Sequence, residues 1–155
     1  MITISDTRTE ETDSSGRRIK ELLAEQGHQV TSYQILKDEA GDIETALRHL
    51  LNDPDTDVVI TNGGTGIAPR DTTFEAIRRL LDKEIEGFGE LFRALSYQDI
   101  GAAAMLSRAV AGVARGKVVI SLPGSTQAVE LGMTKLVLPE LGHMIFLLKG
   151  ERHGH

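Results

Sequence analysis

Six residues, Thr61-Asn62-Gly63-Gly64-Thr65-Gly66, follow the apolar run Val58-Val59-Ile60. A run of that kind suits a strand buried on both faces of a parallel sheet. Glycines beyond the carboxyl end of such a strand let the backbone approach a ligand closely and can turn several N–H groups toward an anion. On spacing alone, a tight turn between strand and helix is the competing reading. Two familiar phosphate-binding patterns are excluded. A Walker loop ends in Gly-Lys-Ser/Thr, whereas this one continues Ile67-Ala68-Pro69-Arg70, and the dinucleotide fingerprint needs a third glycine where Pro69 stands.

Asp71 comes directly after Arg70, beside the loop. A carboxylate there either ligates Mg²⁺ next to a bound phosphate or caps the following helix, a role for which Thr72 competes. Asp6 follows the first strand, and Asp38 and Glu39 follow the second. A parallel sheet gathers such loops into one crevice, although each acidic turn taken singly reads as a solvated loop. Pro123-Gly124-Ser125 closes another strand and opens a helix, so its N–H groups form an anion site or Ser125 simply serves as an N-cap. Ser96 and Ser107 have no partner recognisable from spacing. His28, His49 and His143 are isolated, and the histidines of the tail Glu151-Arg152-His153-Gly154-His155 read as a frayed terminus rather than a metal site. No His-Glu-x-x-His motif, nucleophile elbow or Ser/His/Asp pattern is present. The chain has no cysteine, which excludes a disulfide framework, a zinc–thiolate site and a cysteine nucleophile.

Strands and helices that could hold these loops alternate along the chain. Ile2-Thr3-Ile4-Ser5 is β-prone. Ile19, Leu22 and Leu23 mark a helix capped within Asp13–Ser15 and stopped by Gly27. Val30–Leu36 reads as a second strand, and Asp42 as the cap of a helix carrying Ile43, Ala46, Leu47 and Leu50. Thr72-x-x-Glu75 matches a capping box. Gly87 and Gly89 punctuate the chain, and Phe88, Leu91, Phe92 and Leu95 mark another helical face. Leu106–Val113 and Val118–Leu122, joined through Ala114-Arg115-Gly116-Lys117, read as a hairpin. Two helices follow, the second restarted by Pro139. The pattern predicts a three-layer α/β/α sandwich with a mostly parallel sheet and one antiparallel strand. Residues 1–150 form a single domain and residues 151–155 a polar tail.

The chain has 155 residues, 40% hydrophobic and 26% charged, which excludes global disorder. Seventeen Lys and Arg against 23 Asp and Glu give a net charge of −6, the opposite of a nucleic-acid footprint. No signal peptide is evident. No apolar run of ~20 residues is expected, since the best candidate, Gly101–Ala114, is interrupted by Ser107 and Arg108. A soluble cytoplasmic protein with no membrane or nucleic-acid partner is the expectation.

Several motifs occur together in order: Ser5-Asp6-Thr7-Arg8, Asp13-Ser14-Ser15-Gly16, the Gly63–Gly66 loop, Pro69-Arg70-Asp71-Thr72, Phe92-Arg93-Ala94-Leu95-Ser96, Met105-Leu106-Ser107-Arg108 and Leu122-Pro123-Gly124-Ser125. Over nearly its whole length the chain resembles the molybdopterin-binding family of molybdenum cofactor biosynthesis, the MogA/MoaB-like molybdopterin adenylyltransferases. The Gly87–Arg93 run and Leu122–Ser125 look more like the MoaB branch. The resemblance implies transfer of AMP from ATP to the terminal phosphate of molybdopterin, with release of pyrophosphate and Mg²⁺ as cofactor. A molybdopterin carrier without turnover is the alternative. By resemblance, Asp38 and Asp71 are the functional carboxylates and Mg²⁺ ligands. Lys37 stands where the family has a proline, so the turn carboxylate is Asp38 or, shifted by one, Glu39. Thr61, Gly63, Gly64, Thr65, Gly66, Ser96, Ser107, Pro123, Gly124 and Ser125 would bind the phosphate and the body of the substrate. The resemblance further implies a trimer-based homo-oligomer, a hexamer in the MoaB branch, and a downstream molybdenum-insertion protein as partner.

Overall fold

The computed structural model describes residues 1–150. The described strands are β1 (Ile2–Ile4), β2 (Gln34–Leu36), β3 (Val58–Asn62), β4 (Lys83–Glu84), β5 (Val110–Ala114) and β6 (Lys117–Leu122). They form one sheet in the order β2-β1-β3-β6-β5-β4. β1, β2, β3 and β6 pair in parallel, while β5 runs antiparallel to both neighbours. The expected single antiparallel strand is therefore β5. Its hairpin to β6 closes through Arg115 and Gly116 at φ 50° and 75°, the left-handed pair that a two-residue turn between twisted strands requires.

The helices are α1 (Ser14–Glu25), α2 (Ala40–Leu51), α3 (Thr73–Leu80), α4 (Glu86–Ile100), α5 (Thr126–Gly132) and α6 (Leu138–Lys149), with a 3₁₀ segment at Gly101–Leu106 and a π turn at Met133–Val137. Two buried clusters show which face each helix covers. Ile19, Leu22, Phe92, Val129, Met133, Val137 and Leu141 bring α1, α4, α5, the π turn and α6 against Ile60, Val118 and Ile120. Ile43, Leu47, Leu50 and Ile77 bring α2 and α3 against Ile2, Ile4, Val59 and Val119. Each such side chain, taken fully out of water, contributes roughly 1.5–3 kcal/mol. The result is the three-layer α/β/α sandwich expected from the alternation.

Several local expectations are corrected. The second strand covers Gln34–Leu36 only, and α2 starts after Glu39, with Asp42 in its first turn. Gly87 and Gly89 lie inside α4. A Cβ at Gly89 would stand 3.1 Å from Ala109 O, so the missing side chain lets α4 lie close to β5. Leu106 belongs to the 3₁₀ segment, and the strand begins at Val110. Pro139 restarts nothing, because the helical run is continuous from Thr126 to Lys149. Proline cannot donate to the ladder, and the π turn just before it absorbs the mismatch, with Leu138 N–H reaching Met133 O. Within this run of 24 residues an 18-residue stretch has mean hydropathy 1.4, long and apolar enough to cross a membrane, contrary to the expectation from sequence. Its buried residues Val129, Met133, Val137 and Leu141 pack on the sheet. The histidines of the tail lie outside the described residues.

Candidate functional site

β1, β2, β3 and β6 all end at one edge of the sheet, and their following loops meet there. Neighbouring strands β1 and β3 lie on either side of the point where the strand order reverses, the usual crevice for ligands in such sheets. Gly63 joins the loops. Its N–H donates to Leu122 O at 2.9 Å, and a Cβ would lie 2.1 Å from Ile4 O. With φ 104°, it admits no other residue without strain. Gly124 packs on it, with a built Cβ 3.3 Å from Gly63 Cα.

Beyond Gly63 the loop rises toward the surface, with Gly64 and Gly66 half-buried, Thr65 buried and Ile67 exposed. The N–H groups of Gly64, Thr65, Gly66 and Ile67 meet no acceptor among the described residues. Gly64, at φ 73°, faces two polar side chains: a Cβ there would sit 2.0 Å from Thr73 Oγ1 and 2.8 Å from Asp38 Oδ2. Thr73 is fully buried, and its hydroxyl has no hydrogen-bond partner. Asp71 faces the other end of the loop. Its Oδ2 accepts from Ala68 N–H at 2.9 Å and lies 2.7 Å from the point where a Gly66 Cβ would be.

The two turn carboxylates separate cleanly. Asp38 is 7% exposed, and its Oδ1 accepts from the Thr72 N–H at 3.1 Å and the Thr72 hydroxyl at 2.6 Å. Glu39 points outward to Arg70 Nη1 at 2.9 Å. Arg70 also forks onto Asp6, through Nε at 3.2 Å and Nη2 at 2.8 Å, while Asp6 Oδ1 accepts from Asp38 N–H at 3.1 Å. Arg70 and the Asp38 N–H hold the Asp6 carboxyl below the usual range, and Asp6 and Glu39 raise Arg70 in turn. The acidic loops thus converge as expected, but they do so around an arginine. The capping box is absent: Thr72 spends its hydroxyl on Asp38, and Glu75 pairs with Arg108.

Among the described residues no group of three metal-ligating side chains gathers. Mg²⁺ is commonly held by one or two carboxylates with substrate phosphates completing its shell. Asp38 and Asp71, facing opposite ends of the glycine loop, fit that donor set. The orphaned Thr73 hydroxyl is a further polar group awaiting a partner.

Other expected contacts are redirected. Thr61 is fully buried in β3 and its hydroxyl donates to Ser121 Oγ at 3.1 Å, so it supports the loop from below and cannot touch phosphate. Thr65 is 4% exposed, so its side chain is covered and any role it has runs through the neighbouring, less buried Gly64 and Gly66. Ser125 caps α5 by accepting from Ala128 N–H at 3.1 Å. Ser96 lies on the buried face of α4, with no hydrogen bond to the loops among the described residues. Ser107 lines a separate cleft of about 270 Å³ with Arg93 and Met105. A larger cleft, about 320 Å³, opens at the opposite end of the strands, beside Thr31, Asp57 and Ile145.

Two arginines escaped the sequence reading although their motifs were in view. Arg8 donates through Nη1 to Ser15 Oγ at 2.5 Å and stands 3.7 Å from Asp13, beside Gly124. Below it, Asp13 Oδ2 accepts from the Thr3 hydroxyl at 2.6 Å and the Tyr33 hydroxyl at 2.5 Å. Asn62 links this buried group to β3 by donating to Thr3 Oγ1 at 3.0 Å and accepting from Ser15 at 2.9 Å. Arg108 is the second, and it touches the glycine loop directly.

A doubly wound sheet whose strand ends carry a glycine loop between two carboxylates defines an α/β domain with its candidate site at the carboxyl ends of the strands. Residues 1–143 match the family described as "Probable molybdopterin binding domain", and the chain belongs to that family. It is 60% identical over 149 residues to molybdenum cofactor biosynthesis protein B of Bacillus cereus, spanning 96% of this chain and 88% of that protein. A crystal structure of a molybdenum cofactor biosynthesis protein B superposes with a TM-score of 0.93 at 60% identity, covering 96% of this chain and 92% of the other. The tungsten cofactor synthesizing protein MoaB of Pyrococcus furiosus superposes at 0.84 with 41% identity, covering 96% and 94% of the two chains.

Proposed function

We propose that the chain adenylylates molybdopterin in an ATP- and Mg²⁺-dependent reaction. An oxygen of the molybdopterin terminal phosphate attacks the α-phosphorus of ATP. The bond from that phosphorus to the bridging oxygen breaks, and pyrophosphate leaves with the electron pair. The observation that supports this most is the run of N–H groups at Gly64–Ile67, flanked by Asp38 and Asp71. Oriented N–H groups stabilise phosphate charge without reorganising during the reaction. Gly63 and Gly124 bring the β3 and β6 loops together, so two anionic substrates can be aligned across one crevice. Mg²⁺ bound by Asp38 and Asp71 with the phosphates would neutralise their charge. The test is incubation with molybdopterin and Mg-ATP: adenylyl-molybdopterin detected by mass supports the reading. Binding of molybdopterin without product rejects turnover and leaves the carrier reading.

The same reading takes the protein as cytoplasmic, supplying its product to a downstream molybdenum-insertion protein. It also takes the chain as a trimer-based homo-oligomer, with the hexamer as the expected state. Tyr97, Ile100, Met105 and Leu106 lie exposed along the end of α4 and the adjoining 3₁₀ segment, an apolar stripe suited to burial between copies. Light scattering at micromolar concentration should give a multiple of three chains. A mass near one chain at all concentrations would reject it.

A further inference from the structure

We infer that Arg108 is the positioning residue that turns the glycine loop's N–H groups toward the ligand. This rests on the reading of Gly64–Ile67 as a phosphate surface. Arg108 N–H donates to Thr65 O at 2.9 Å. Its guanidinium donates to Gly66 O twice, from Nε at 3.0 Å and Nη2 at 2.6 Å, and Nη2 reaches Asp71 O at 3.0 Å. One residue thus holds three carbonyls of the loop that carries Asp71.

The consequence follows from peptide geometry. In a trans peptide, the carbonyl of one residue and the N–H of the next point in opposite directions. No peptide bond in the described chain is cis. Drawing the carbonyls of Thr65 and Gly66 onto Arg108 therefore aims the N–H groups of Gly66 and Ile67 away from it. Neither has an acceptor among the described residues. The orphaned Thr73 hydroxyl beside Gly64 is a second, independent sign that this surface awaits a polar partner.

Arg108 is itself held in place. Glu75 pairs with Nη1, and the guanidinium lies 5.0 Å from the centroid of the Phe74 ring. Both partners are on α3, whose first residue is Thr73. The arginine ties the 3₁₀–β5 connection, the glycine loop and the start of α3 into one unit. Lysine keeps the charge at this position but cannot reproduce a planar fork across two carbonyls and a carboxylate.

Inorganic pyrophosphate, titrated into the whole protein by calorimetry, is the probe. Arg108→Lys should weaken its binding about tenfold, as expected for loss of two or three partly exposed hydrogen bonds that orient the loop. Glu75→Gln, which keeps the arginine but loosens it, should weaken it about threefold. Amide resonances of Gly66 and Ile67 should move in both variants while those of β1 and β6 stay in place. Wild-type affinity in Arg108→Lys would overturn the inference, as would absence of pyrophosphate binding in the wild type. Resonance changes spread through the sheet with a collapsed melting temperature would show a merely structural role and overturn it too. Arg108-dependent pyrophosphate binding without adenylyl-molybdopterin formation would reject the proposed reaction and leave this inference standing.

Discussion

Asp38→Asn and Asp71→Asn should each lower adenylyl transfer on the order of 10²–10³-fold, the scale of losing one preorganised electrostatic group at a reacting phosphate. Molybdopterin binding should change much less, because the loop amides and their arginine support are untouched. Both substitutions preserve shape. An asparagine oxygen at position 38 can still accept from Thr72, and one at position 71 can still accept from Ala68 N–H. What is lost is the negative charge facing Gly64 and Gly66. Glu39→Gln is the control: its side chain is turned out to Arg70, so activity should stay within about threefold, the small effect typical of an exposed ion pair. Product mass against time at saturating Mg²⁺ reads all three variants. Equal loss in Glu39→Gln would mean that Lys37 has shifted the turn and that Glu39 is the functional carboxylate.

Asp13→Asn should be the most destabilising of the conservative changes. Burial opposes ionisation of this carboxyl, but donation from Thr3, Tyr33 and the Gly16 N–H, with Arg8 nearby, holds it below its usual value. The same contact raises the Tyr33 hydroxyl, to which burial contributes most. An amide must present Nδ2 where an acceptor is needed, so one of the Thr3, Tyr33 or Gly16 donors loses its partner in a buried place. Breaking a buried charged network costs about 3 kcal/mol, which for a chain of this size lowers the melting temperature by roughly 6–12 °C. Because the folded carboxyl titrates below the unfolded one, near 3.9, its contribution is complete above that value. It is lost as the pH falls through the folded pKa. Melts at pH 7 and at pH 3 should therefore show a gap between wild type and variant that narrows with acid. A gap independent of pH would assign the loss to packing alone.

The layers were legible because Val58–Ile60 and Val118–Ile120 are continuous apolar runs, and because the faces of α1 and α2 recur at helical spacing. The glycine loop was legible for the same reason, as punctuation after a buried strand. What escaped depends on tertiary contacts. Thr72 and Glu75 have the spacing of a capping box, but Asp38 and Arg108, 34 and 33 residues away in sequence, claim their side chains first. Thr61 carries the same hydroxyl as a phosphate ligand would, and only the pairing with Ser121 across the sheet reveals that it is sealed. β4 has two charged residues and no periodicity to read; it is a strand because β5 offers it an edge. Pro139 signals a break in any local scheme, and only the wider turn at Met133–Val137 allows the helix to continue.

That short β4 bears on how the protein behaves when crowded. A sheet edge is a template on which another chain can add a strand, and long flat apolar edges recruit aggregates. Here one margin ends in Lys83–Glu84, both exposed and of opposite charge. The other, β2, presents three residues beginning with Gln34. The strands richest in valine and isoleucine, β3 and β6, lie in the middle of the order, where each already has neighbours on both sides. Added strands meet either two solvated charges or a margin three residues long. The sheet most prone to self-association by composition is thus terminated at both sides by segments too short to propagate it.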